Sequence, residues 1–459
     1  MASKSKRARM VPERNLSKSF LYWAIAVFVI KLGIIFRIEG MNVGFDDGVY
    51  FLDGAWLGAD GDNYLVGYNA LVREGIFSPE SILNYWPAGY PLLIFFLSIL
   101  GKSWVLTTLS IVQSLIFSYA VYFFAKQLSN TRLKKFAYLT LLLILFNPTL
   151  SLSSIVVGYE SLTASGLLLC IGLVIRSFVE KDNKKFVRYL IISSAIFGFL
   201  SFVQPRLLLT GILINLLWIF VWKGFKAGAL MLAMSLAITL FLPATLVYRN
   251  NQAIGINSIS TNLGVTMNIG AGDNATGGIM RKDYGVECDL SGTSLQQDNQ
   301  RVRCVLNWYL SNPVKAVELF YNKSIYFWSP WYGPVGNGTM ARNPWLTINP
   351  LKNIASTHDG FNLVNGGFGK VLSWLWLLGG LALLLYGYFT LWRQNSLERF
   401  MGNLAMVPIA TNWLITLLTI GDHRFRIPIM GLSLFLQAIG LKTLLRGGKP
   451  AMVDGPALR

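Results

Sequence analysis

Residues 207–247 read LLLTGILINLLWIFVWKGFKAGALMLAMSLAITLFLPATLV, two apolar runs (207–222 and 228–247) joined by a turn that carries Lys223 and Lys226. Uncharged runs of this kind belong in lipid, where a helix satisfies its own backbone N–H and C=O groups. They are expected to be two consecutive membrane spans with a basic turn between them. Outward from this pair, similar runs occur at roughly 20–38, 104–125, 136–148, 154–175, 189–203, 368–391, 400–420 and 427–442. With 53% hydrophobic and 14% charged residues among 459, the chain reads as an all-α polytopic membrane protein of about ten transmembrane helices. Several runs fall short of the roughly 20 residues that cross a bilayer, so two or three are expected to be broken helices covered by neighbours.

The net charge of +18 suggests nucleic acid until it is divided by compartment. With the N-terminus inside, segments 1–19, 126–135, 176–188, 223–226, 393–399 and 442–459 hold 23 Lys and Arg against 5 acids. The opposite side and the helix ends hold 16 against 17, with Lys31 left inside the first span. Such asymmetry is a topology signal; it removes the nucleic-acid reading and puts both termini in the cytoplasm. The basic start (Lys4, Lys6, Arg7, Arg9) precedes a long apolar run with no small-residue cleavage site, so that run reads as a retained anchor. The layout is then a basic tail 1–19, a transmembrane domain 20–445 and a tail 446–459. Two large external segments, 39–103 and 248–367, are expected to carry juxtamembrane helices and the chemistry.

Cys288 and Cys304 share the second external segment, where an oxidising compartment would permit a disulfide; Cys170 sits in an apolar run as a small core residue. Two histidines and one external thiol pair do not make a zinc site. Lys31 is expected to pair with a lipid phosphate or to snorkel outward. Gly270 to Gly278 has glycines at phosphate-loop-like spacing but no strand and crossover helix around it, and reads as an external loop that shapes a pocket.

The first external segment crowds Asp46, Asp47, Asp53, Asp60 and Asp62 beside the membrane and closes on Trp86-Pro87-Ala88-Gly89-Tyr90-Pro91. Asp60-Gly61-Asp62-Asn63-Tyr64 opens a helical pattern that ends at Gly75. An acid at a helix start is also what ordinary capping produces, and aromatic turns also belong to interfacial belts.

The order of these features resembles the first external loop of the GT-C membrane glycosyltransferases that use polyprenyl-phosphate sugars, the group of the protein O-mannosyltransferases and the aminoarabinose transferase. Asn147-Pro148 followed by Gly158-Tyr159-Glu160 is similar to that group's external helix end with a second acid. Gln204-Pro205-Arg206 resembles its Arg-Pro in inverted order. Tyr248-Arg249-Asn250, the segments from Ser260 to Gly277, Ser311-Asn312-Pro313 with Lys323 and Trp328, and Asp422-His423-Arg424-Phe425-Arg426-Ile427-Pro428 continue the likeness over roughly residues 20–445. The resemblance implies a GT-C-like fold and an inverting glycosyltransferase. Its donor is a polyprenyl-phosphate sugar, and its acceptor an envelope lipid, glycan or protein outside a bacterial cytoplasmic membrane.

Transfer of this kind needs a carboxylate to take the acceptor hydroxyl proton and cations to receive the departing phosphate. Asp60 ranks first as the base, Asp62 second, and Asp46 or Asp47 third. Glu160 is the candidate second pocket acid, with helix-end stabilisation as its bland alternative. Arg206, Arg249, Arg424 and Arg426, at outer helix ends, and Lys323 are the candidate phosphate ligands. Trp86, Tyr90 and Tyr64 are candidates for the substrate platform. No compact ligand set marks a divalent cation, Mg or Mn, and dependence on one stays open. Two other classes remain: a polymerase or ligase using diphosphate-linked glycans, and a lipid-linked-sugar transporter or flippase, which inverted repeats would favour.

Overall fold

The structure, a computed structural model, describes residues 13–37, 56–57, 61–278, 285–328, 367–394 and 396–445. In chain order the elements are α1 (Glu13–Arg37), β1 (Trp56–Leu57), α2 (Gly61–Glu74), α3 (Ile82–Tyr85), α4 (Gly89–Leu97), α5 (Val105–Ser129), α6 (Lys134–Leu145) and α7 (Pro148–Leu152). They continue with β2 (Val156–Val157), α8 (Glu160–Glu180), α9 (Asn183–Val203), α10 (Leu208–Ile254), α11 (Leu263–Ile269), α12 (Ser294–Ser311) and α13 (Pro313–Trp328). The last are α14 (Gly367–Trp392), α15 (Ser396–Leu418), a 3-10 turn (His423–Ile429) and α16 (Met430–Leu444).

Eight helices among the described residues are long and apolar enough to cross a membrane, and a ninth span results if the bent pair around Asn147 counts as one. The 26-residue α14, apolar from Leu377 to Trp392, stands where the run at 368–391, the eighth in chain order, was expected to cross. The protein is therefore an all-helical, multi-pass membrane protein. Residues 207–247 fold as read: α10 holds both spans, reversed at Gly224, whose φ of +71° suits glycine. The break at 147–148 follows from Pro148, which supplies no N–H and holds Asn147 extended; the Asn147 side chain accepts from Leu150 N (2.9 Å) and caps α7. The expected span 154–175 begins later, at Glu160. The residues before it form a 3-10 turn and a two-residue strand instead.

Polar stitches in the bundle replace contacts that lipid cannot supply. Thr210 and Thr411 share a 2.7 Å hydrogen bond, and Asn215 donates to Ser194 and Ser235. The basic segments meet at one end of the bundle: Lys442 donates to the Lys135 carbonyl, Lys223 reaches Asn183, and Arg176 and Lys185 hold Glu180. At the other end, the Trp86–Pro91 turn starts α4 three residues before the apolar run from Leu92 to Leu100. Pro91 is tolerated there because the first turn of a helix has no N–H partner to lose. A Cβ on Gly89 would lie 1.9 Å from the Phe202 carbonyl oxygen, so α4 can rest on the end of α9 only through glycine.

Candidate active site

The end of the bundle opposite the basic segments gathers the starts of α8 and α10 and the 3-10 turn before α16. Glu160 opens α8, and its Oε1 lies 3.1 Å from Nε of Arg424, the two side chains being only 12% and 8% exposed. Arg424 also donates from Nη2 to the Tyr159 hydroxyl (3.4 Å), while its backbone N–H donates to Asp422 Oδ1 (2.8 Å). Arg206 donates to Thr419 Oγ1 (3.1 Å) and lays its guanidinium 3.8 Å from the Phe425 ring centre. Among the described residues its buried Nη1 has no hydrogen-bond partner. Arg206 is electrostatically coupled to Tyr159, Arg424 and Asp422, so two guanidiniums, two carboxylates and a phenol form one cluster.

Arg426 follows two residues later in the same turn, its guanidinium 6.0 Å from the Trp328 ring centre. It lines a cavity of about 400 Å³ between α6, α14 and α16, together with Asn147, Trp328, Gly380, Met430 and Gln437. The walls are otherwise mostly leucine, a surface suited to a hydrocarbon chain with a charged group at the arginine.

The acidic loop is tied to this place by a parallel ladder. Trp56 pairs with Val156 and Leu57 with Val157. Leu57 stands three residues before Asp60, and Val157 stands three before Glu160. Asp62 lies in the first turn of α2 and is exposed. Asp46, Asp47 and Asp60 lie outside the described residues.

The remaining candidates are held by other partners. Tyr90 is fully buried; its hydroxyl accepts from Gly158 N (2.8 Å) and donates to Gln113 Oε1 (3.2 Å). Tyr64 packs 4.9 Å from it, ring centre to ring centre, and 6.4 Å from Tyr159. Both rings belong to a packed core that joins α2, α4 and α8, so neither offers an open face for a sugar. Trp86, half-buried beside Tyr85, keeps one. The Arg249 guanidinium is enclosed by oxygens: Ile76 O (3.0 Å), Leu83 O (3.3 Å), Asn250 Oδ1 (2.8 Å) and Ser78 O. It straps α10 to the loop after α2 and does not face a phosphate.

Lys323 is also buried, donating to Tyr309 OH (2.7 Å) and Leu417 O (2.9 Å) under the glycine-rich loop. Burial pulls its amine down to about 7. A Cβ on Gly270 would lie 2.0 Å from the Thr419 carbonyl oxygen and 3.0 Å from this Nζ, which explains a glycine at that loop position without any phosphate. Cys288 and Cys304 form the disulfide, with Cα atoms 6.0 Å apart. Lys31 does not snorkel: it is 1% exposed, donates to Ser154 Oγ (2.9 Å) and sits 4.0 Å from the Phe117 ring centre.

Sequence reading assigned no role to Tyr159, Gln113, Thr419 or Phe425. Only Gln113 carried a local signal, an amide within an apolar run. Among the described residues no three His, Cys, Asp or Glu side chains converge. Glu160 is spent on Arg424 and Asp422 caps the Arg424 backbone, so the described acids do not form a cradle for Mg or Mn.

No protein-family model matches the chain, and neither does any curated protein. Among solved structures, the Archaeoglobus fulgidus oligosaccharyltransferase in its apo form is 14% identical with a TM-score of 0.47, over 93% of this chain and 51% of that one. The archaeal oligosaccharyltransferase AglB of the same organism, in complex with an inhibitory peptide and a dolichol-phosphate, gives 13% and 0.46 over 95% and 53%. The enzyme tethered to an acceptor peptide gives 14% and 0.44 over 94% and 51%. This chain spans about half the length of those proteins, and at these scores the likeness assigns no role to any of its residues.

Proposed function

We propose that the protein is a GT-C-type inverting glycosyltransferase that moves a sugar from a polyprenyl-phosphate donor to an envelope lipid, glycan or protein. It would act on the external face of a bacterial cytoplasmic membrane, with both termini inside and residues 20–445 as the catalytic domain. The observation that carries this reading is the cluster itself: Arg206, Arg424 and Glu160 share one nearly buried place at the bundle end, and a ladder brings the exit of the acidic loop to it. Burying two arginines beside two acids costs stability and is expected where charge must be handled.

In this reading Asp60 takes the proton of the acceptor hydroxyl as its oxygen bonds to the anomeric carbon from the face opposite the phosphate. The carbon–oxygen bond to phosphate breaks with its electron pair, leaving the polyprenyl phosphate. Asp62 is the second candidate for that proton, and Asp46 or Asp47 the third. Arg206, with an N–H group unpartnered among the described residues, and Arg424 receive the growing phosphate charge, and Arg426 anchors the donor where its chain enters the leucine-lined cavity. Glu160 holds Arg424 in register and orients the acceptor. Arg249 and Lys323 have no part in phosphate binding here, nor Tyr64 and Tyr90 in the platform.

The test is transfer from a panel of polyprenyl-phosphate sugars by purified protein in lipid nanodiscs, with acceptor-rich membranes. Asp60→Asn should abolish transfer and leave donor binding intact, and Asp62→Asn should retain it. Equal, full activity in both variants would remove the two leading bases. No transfer from any donor by wild type would favour the polymerase and transporter classes.

A further inference from the structure

Lys31 sits in the first membrane-spanning helix where an apolar residue would be far cheaper. Among the described residues it has no carboxylate within ion-pair distance; its contacts are Ser154 Oγ and the Phe117 ring. Taking an amine out of water for one hydroxyl costs more than the contact returns, so stability does not account for it. What it touches is more informative. Ser154 Oγ donates to Ser151 O (2.9 Å) and shares a 3.0 Å hydrogen bond with Ser114. The lysine N–H occupies one lone pair of Ser154 Oγ, whose own proton goes to Ser151 O, so the bond between the two serines is donated by Ser114.

The set continues to the cluster. Gln113 Nε2 donates to Ser154 O (3.4 Å) and Val156 O (3.0 Å), and its Oε1 accepts from Tyr90, whose oxygen accepts from Gly158 N. Glu160 Oε2 lies only 2.4 Å from where a Cβ on Gly158 would stand, so its carboxylate is folded back over that glycine. Ile35 adds an apolar contact with Leu152 and Ile155, pressing α1 on the same turn.

We infer that Lys31 is a positioning residue: through Ser154, Gln113 and Tyr90 it fixes the strand Val156–Val157 and Gly158, and thereby the Glu160 carboxylate and the exit of the acidic loop. It touches no substrate, and its effect on transfer rests on the glycosyltransferase reading; its effect on Gly158 does not.

The experiment uses full-length protein in nanodiscs with Lys31→Met, Lys31→Gln, which keeps a donor, and Ser154→Ala. Amide hydrogen exchange at Gly158 should quicken in Lys31→Met and Ser154→Ala while α8 from Leu167 to Ile175 stays protected, and Lys31→Gln should restore part of the protection. In transfer, kcat should fall between about 10- and 100-fold with the donor KM unchanged. The double variant Lys31→Met/Ser154→Ala should be no worse than either single one. Unchanged Gly158 exchange in Lys31→Met, or a rise in KM at constant kcat, overturns the proposal. Should wild type transfer no sugar at all, the glycosyltransferase reading fails and the Gly158 exchange alone decides for or against the network.

Discussion

Arg249 and Arg424 both stand at helix ends on the same side of the bundle, yet their surroundings are opposite. Arg249 meets four oxygens of backbone and amide and is used up in holding a loop. Arg424 meets the Glu160 carboxylate and the Tyr159 phenol, with Asp422 and a second guanidinium in the same electrostatic cluster. A guanidinium ringed by carbonyls is a strap, whereas among the described residues Arg206, Arg424 and Arg426 outnumber the two acids beside them, Glu160 and Asp422, and leave positive potential for an incoming anion.

The largest effect should come from Arg424→Ala. It takes away the guanidinium 3.1 Å from the nearly buried Glu160 carboxylate and, on the proposed reading, a ligand of the phosphate, so kcat/KM should fall by about 100-fold or more, with a loss of roughly 3 kcal/mol in stability. Transfer kinetics and thermal unfolding in nanodiscs read both; near-normal transfer would erase the distinction drawn above. Arg249→Met should do the reverse. It orphans the carbonyls of Ile76, Ser78 and Leu83 and should cost about 2–3 kcal/mol in unfolding while donor affinity stays at the wild-type value. Weakened donor binding at intact stability would return Arg249 to the site.

The smallest effect concerns Lys323. Its folded value near 7 lies below the ordinary 10.5, so between these values the unfolded chain binds more protons than the folded one. Stability from this group is therefore lowest below pH 7 and rises as pH climbs toward 10.5. The thermal midpoint of wild type should gain more between about pH 6.5 and 9 than that of Lys323→Met. Parallel curves would place that titration elsewhere.

The membrane spans were legible because apolar runs of fixed length are a physical requirement of lipid, and the bent pair at Asn147 was foreshadowed by Pro148. The start of α8 was not, since Ser153 to Val157 is as apolar as a span and only the two-residue ladder with Trp56–Leu57 takes it out of the helix. Glu160, Arg206 and Arg424 could be picked as charges at helix ends. Nothing local separates them from Arg249, because that difference lies in which oxygens the folded chain brings near. The Cys288–Cys304 pairing was one of few long-range contacts that composition alone suggested. Tyr90 misled for a related reason: an aromatic turn looks like a surface platform until packing closes over it.

The bond from Lys31 to Ser154 joins residues 123 positions apart. The first helix enters the bilayer long before its partner has been synthesised, so the lysine must wait in lipid, or tilt to the interface, until the turn at 154 arrives. Assembly of the outer end of the bundle is thereby ordered in time: the anchor is inserted first but locks only when the turn at 154 arrives, as the fourth of the apolar runs is about to begin.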